Sequence, residues 1–159
     1  DPWPVPVRNM VDLCDVIKKY YYNPYSYGSN SIKKILPAVL KSSELVKNKY
    51  SKSISEINVS SLNFPSHHIW LKKEQGEIVS PYNALPPLYE NLSEEEIEKI
   101  ISELESISDG GAALTAYGKI QYTDMSESEK EDIAKGLFHY CELDTLAMVM
   151  IYEHLKSLV

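Results

Sequence analysis

The sequence predicts a single, mostly helical α+β domain of five or so helices with two or three short strands. Three observations predict it. Hydrophobic residues make up 43% and charged residues 25% of the 159 residues, a globular balance with chain enough for one core. Ser93 with Glu96 and Ser126 with Glu129 each form a capping-box spacing ahead of an apolar stripe at helical period. Ile69-Trp70-Leu71 and Glu77-Ile78-Val79 flank Gln75-Gly76, which reads as a hairpin. The chain then divides into a strand-helix-helix segment (1–40), an irregular insertion holding the hairpin (41–92) and a helical part (93–159).

Asp1 to Val7 alternates proline with other residues and is expected to be extended. The first residue is Asp1 and not Met, so the chain is expected to be a piece of something longer. Asp12 caps a helix running to about Tyr21, with Leu13, Val16, Ile17 and Tyr20 as its apolar face. Five tyrosines follow within eight positions, Tyr20 to Tyr27, around Pro24 and Gly28. They could form a stacking platform for bases, but the commoner arrangement is a loop that packs its rings over the core edge. Ser31 opens a second, short helix that Pro37 should end or kink. Its Lys33 and Lys34 suit either phosphates or plain solvent.

Lys41 to Phe64 is rich in serine and lysine and reads as a surface excursion, with a short strand near Ile57 to Leu62. His67-His68 cannot chelate alone, because neighbours on a strand point to opposite faces; zinc is not expected. Pro81 to Leu88 reads as a rigid extended linker. Ile97, Ile100, Ile101, Leu104 and Ile107 make a helical stripe that Asp109-Gly110-Gly111 stops, and Ala112 to Gln121 forms a compact helix. Gly110-Gly111 lacks the following Lys-Ser/Thr of a phosphate loop.

Sixteen Lys+Arg against 23 Asp+Glu give a net charge of -7, which disfavours a free-standing nucleic-acid binder and suits a site that gathers divalent cations. Cys14 and Cys141 lie far apart in apolar helical contexts and are expected to be core thiols, as in a reducing cytoplasm. No membrane span or leader is apparent, so no membrane partner is expected.

The last helix, 127–158, carries the best functional lead. Ile133, Leu137, Tyr140, Cys141, Met148, Ile151 and Leu155 fall on one stripe, and Asp144 lies in its middle. An ionised carboxylate on a face meant for burial costs several kcal/mol unless a side chain pairs with it or a cation binds it. Tyr140 stands one turn before it. Leu146, Val149 and Met150 lie off the stripe, so this helix should be buried on several sides or pair with another copy of the chain.

Tyr140-x-x-x-Asp144 resembles the third motif of the RNase H-like 3'-5' exonucleases of the four-acid, tyrosine-containing type. Met10-Val11-Asp12-Leu13, with Gly28-Ser29-Asn30-Ser31-Ile32-Lys33-Lys34-Ile35, resembles the segment after their second motif. Together with Leu85-Pro86-Pro87-Leu88, Asp109-Gly110-Gly111-Ala112-Ala113 and Tyr140 to Ala147, the set is similar to a bacterial domain-of-unknown-function family. That family forms the C-terminal part of predicted RNase H-like nucleases. The resemblance implies part of an RNase H-like α/β fold with an incomplete central sheet, and phosphodiester hydrolysis of DNA or RNA. It implies Mg or Mn as cofactor in the full-length protein, with Asp144 as a metal ligand and Tyr140 orienting the attacking water. The Asp-x-Glu first motif and the second motif's acid have no match, so those ligands are expected upstream and this chain alone is expected to be inactive. Its implied partners are nucleic acid and the upstream part of the same polypeptide. The alternative is a non-catalytic helical interaction module, in which Asp144 is a buried acid answered by a Lys, an Arg or the backbone.

Overall fold

The computed structural model describes residues 11–74, 76–85, 117–118, 120–121 and 126–159. The stripe from Ile97 to Ile107, its Gly110-Gly111 stop, Pro86 to Leu88 and most of 112–121 lie outside them. The described part is mostly helical with one two-stranded sheet.

Helix α1, Leu13–Tyr20, starts where expected: the Asp12 carboxylate accepts the Cys14 N–H at 2.8 Å. Ile17 enters the core, but Tyr20, expected beside it, is exposed. The helix ends there and the backbone turns extended at Tyr21, whose ring takes the inward place. A 3-10 turn, Pro24–Ser26, leads on to α2, Ile32–Ser42.

Pro37 was expected to end or kink α2, yet the helix runs through it to Ser42. A proline there leaves the Lys33 carbonyl without its intrahelical donor, a cost of about 3 kcal/mol. Ile35, Leu36, Val39 and Leu40 are all buried, and burial of such side chains contributes about 1.5–3 kcal/mol each. Packing therefore outweighs the break.

Residues 41–64 are no surface excursion. They form α3, Glu44–Tyr50, and a short α4, Ile54–Ile57, and Val46, Tyr50 and Ile54 are buried. Ser43 caps α3 and the Ser53/Glu56 capping box opens α4, two helix signals hidden in the serine-rich composition. Residues 58–62 form no strand; Asn58, at φ 52°, ends α4 in the left-handed conformation.

The hairpin is present, set slightly later than expected. Strand β1, Lys73–Glu74, pairs antiparallel with β2, Glu77–Ile78, in the register Lys73 with Ile78 and Glu74 with Glu77. Gly76 takes φ 88° in the turn, where a Cβ would be strained. Trp70 and Leu71, just before β1, are buried in the core. Pro81 to Leu85 is a run of turns, not an extended linker: the Asn83, Ala84 and Leu85 N–H groups donate back to Ser80, Pro81 and Tyr82 carbonyls.

Helix α5, Glu127–Lys156, begins directly after Ser126 and packs on α2 and α3. Its buried residues are Ile133, from the expected stripe, and then Leu143, Leu146, Ala147, Met150, Ile151 and His154. The expected stripe is thus rotated: Cys141 and Met148 face solvent. The side of α5 that carries Leu143 and Met150 is buried, and α2, with Ala38 and Val39 buried, packs against this helix. The two thiols are free, Cys14 half-buried and Cys141 exposed, so neither is a core thiol. No helix among the described residues is long and apolar enough to cross a membrane.

Candidate functional site

Asp144 lies at the border of the buried face of α5, half-buried, with Tyr140 one turn earlier and equally half-buried. The structure therefore brings the two expected residues together. It also adds two that sequence reasoning missed. The Tyr82 hydroxyl donates to Asp144 Oδ1 at 2.6 Å, and the Tyr82 and Tyr140 rings stand 6.0 Å apart. Lys33, at the start of α2, places its ammonium 5.7 Å from the Tyr140 ring centre, within cation–π range.

Each neighbour is positioned by its own stretch of backbone. The turns after buried Pro81 aim Tyr82 inward. Lys33 is an exposed residue of the first turn of α2, the helix that lies along α5. Burial, reinforced by the hydrogen bond to Asp144, pushes the Tyr82 phenol far above its ordinary range. Tyr82 is therefore held as a hydrogen-bond donor to Asp144 at neutral pH. Among the described residues no Lys or Arg forms an ion pair with Asp144, and Oδ2 receives no hydrogen bond. Among the described residues the carboxylate is thus oriented by one phenol, through Oδ1 alone.

A second polar cluster sits farther down α5. Glu142 Oε2 accepts from the backbone and side-chain nitrogens of Asn63 at 3.1 and 2.6 Å, and the Asn63 carbonyl accepts from His139 Nε2 at 3.1 Å. The Phe64 ring lies between His68 and His139, 4.5 Å from each. Burial, then the nearby Lys72 and His139, lower the His68 pKa. Among the described residues no three His, Cys, Asp or Glu side chains are placed to hold a metal ion, here or around Asp144.

Neither family models, curated proteins nor solved structures match this chain. Function must be argued from the site's own chemistry. Tyr82 was hidden in a proline-rich segment read as a connector. The available signal was the segment's stiffness: an aromatic residue beside Pro81 is held in one direction.

The five tyrosines divide. Tyr21 turns inward, its hydroxyl 3.0 Å from His154 Nε2, while Tyr20, Tyr22, Tyr25 and Tyr27 are exposed. The expectation that the loop packs its rings over the core holds for one ring in five.

Proposed function

We propose that this chain is the C-terminal part of a divalent-metal-dependent nuclease of the RNase H-like exonuclease kind, hydrolysing phosphodiesters of DNA or RNA. In it Asp144 supplies one metal-binding carboxylate and Tyr140 a phenol beside the attacking water. One observation carries the reading: among the described residues the partner of Asp144 is a phenol and not a cation, and its second oxygen receives no hydrogen bond from them. An acid kept only for packing would gain more from a lysine or arginine or from full hydrogen bonding.

The described residues of this chain do not by themselves fit a metal ion. Mg and Mn take several oxygen ligands, and one carboxylate with one phenol is too few. The remaining acids would come from a preceding Asp-x-Glu strand of a longer polypeptide. What this chain contributes is the orientation of Asp144: Tyr82 fixes one oxygen and thereby the direction of the other. In the longer protein, Asp144→Asn should abolish Mn- or Mg-dependent cleavage while the chain still folds cooperatively, and Tyr82→Phe should lower it roughly 10-fold. Cleavage that survives Asp144→Asn removes Asp144 from the chemistry.

A second reading, the helical interaction module, is favoured by a different observation. Leu13 and Val16 of α1 and Met148, Val149, Tyr152 and Leu155 of α5 line an open apolar groove of about 690 Å³. Under that reading Asp144→Asn changes stability alone.

A further inference from the structure

From Val16 to Ser43 the sequence holds five lysines and no acidic residue, within a chain whose net charge is -7. The overall charge thus conceals one basic stretch, and that stretch contains the tyrosine cluster. Tyr20, Tyr22 and Tyr27 are 82%, 81% and 85% exposed and Tyr25 is 49% exposed. Four large rings in solvent within eight residues are far from the usual placement of tyrosine.

The loop is nevertheless rigid. Tyr21 and Asn23 are extended, so their side chains turn inward and Tyr22 between them turns out. Buried Asn23 accepts the Tyr25 N–H at 3.0 Å through Oδ1, and its Nδ2 lies 2.9 Å from the Tyr21 and Ser42 hydroxyls. The buried Ser26 hydroxyl donates to the Asn23 carbonyl at 2.8 Å. Tyr27 sits at φ 52°, a conformation unfavourable for a bulky residue, and its ring is in water, so packing does not compensate. Lys41 lies 5.5 Å from the Tyr25 ring centre, and Lys34, seven residues earlier, shares its face of α2.

We infer that this ledge, Tyr20, Tyr22, Tyr25 and Tyr27 with Lys34 and Lys41, binds single-stranded nucleic acid. Lys18 pairs with Asp15, but Lys34 and Lys41 form no ion pair among the described residues and so select a polyanion. Rings held outward select one whose bases are free to stack. A duplex offers phosphates but no free base faces. The ledge is separate from Asp144 and needs no metal, so binding tests it independently of the nuclease reading.

The test is fluorescence anisotropy with labelled oligothymidylate and oligouridylate of about 12 nucleotides, and a matching DNA duplex, in about 50 mM salt without divalent ions. A single strand, deoxy or ribo, should bind at least 10-fold more tightly than the duplex. Tyr20→Ala, Tyr22→Ala and Tyr27→Ala together should weaken it by about 10-fold or more, and the three Phe substitutions should keep it. These rings are exposed, so the urea midpoint should not move; a variant whose midpoint falls is replaced by the single Tyr27→Ala. Lys34→Ala with Lys41→Ala should reduce the salt slope by about 1.4, two single-strand phosphate contacts. Absent binding, equal binding of duplex and single strand, or indifference to the tyrosine substitutions overturns the inference.

Discussion

A carboxylate placed on the inner half of a helix needs a donor, and at Asp144 a phenol from 62 residues upstream provides it. Both groups are half-buried, and a hydrogen bond to a charged acceptor contributes about 1.5–3 kcal/mol. Tyr82→Phe should therefore destabilise the chain by about 1–2 kcal/mol, and Tyr82→Phe in an Asp144→Asn background should cost less. Urea unfolding of the two single variants and the double measures the coupling. Effects that add to within about 0.5 kcal/mol would mean the contact does not act as a pair. Asp144 and Tyr140 were legible because a charged residue inside an apolar stripe violates the helical pattern. Tyr82 and Lys33 were not, since nothing in local spacing reports which distant loop will close over a helix face. The same holds for Tyr21, Asn23 and His154, which meet only once α2 lies along α5.

Among elements, helices whose cap precedes a clear apolar stripe were readable, while α3 and α4, capped by Ser43 and by the Ser53/Glu56 box but short of apolar residues, were not. Asp12 and Ser126 mark the starts of α1 and α5, and Gly76 marks the hairpin turn. Helix α3 escaped because its apolar face is only Val46 and Tyr50, two buried residues among lysines. What fixes it is an anchor on α5: Glu153 takes Lys49 Nζ at 2.5 Å and the Tyr50 hydroxyl at 3.1 Å. The ion pair is about a third exposed and should contribute less than 1 kcal/mol. Tyr50 is fully buried, and an unpaired phenol there costs about 1–3 kcal/mol. Glu153→Gln, which keeps an acceptor for the phenol, should thus cost under about 1 kcal/mol in urea unfolding, and Glu153→Ala clearly more. Equal losses in the two variants would assign the anchor to the ion pair instead.

Across the whole molecule, four titratable groups, Tyr50 and His154 buried and His68 and Tyr82 half-buried, bound the pH range in which the fold is stable. His68 and His154 have pKa values lowered chiefly by burial, so the folded state prefers both rings neutral. Protonation favours the unfolded chain, and stability should decline as pH falls below the ordinary histidine value of 6.5. At His154 the reason is visible: Nδ1 is buried without a partner, and Nε2 faces the Tyr21 hydroxyl that already receives Asn23. Tyr50 and Tyr82 have pKa values raised chiefly by burial, each with a carboxylate beside it. The folded state holds those protons, so their contribution is complete below the ordinary tyrosine value of 10.0 and declines above it. Urea midpoints should therefore form a plateau between these limits and fall on both sides. His154→Gln should flatten the acid side between about pH 5 and 6.5, above the range where carboxylates titrate. Tyr82→Phe should flatten the alkaline side while leaving the acid side as it was. A midpoint that stays level from about pH 5 to 8 would show that neither histidine is held neutral by the fold.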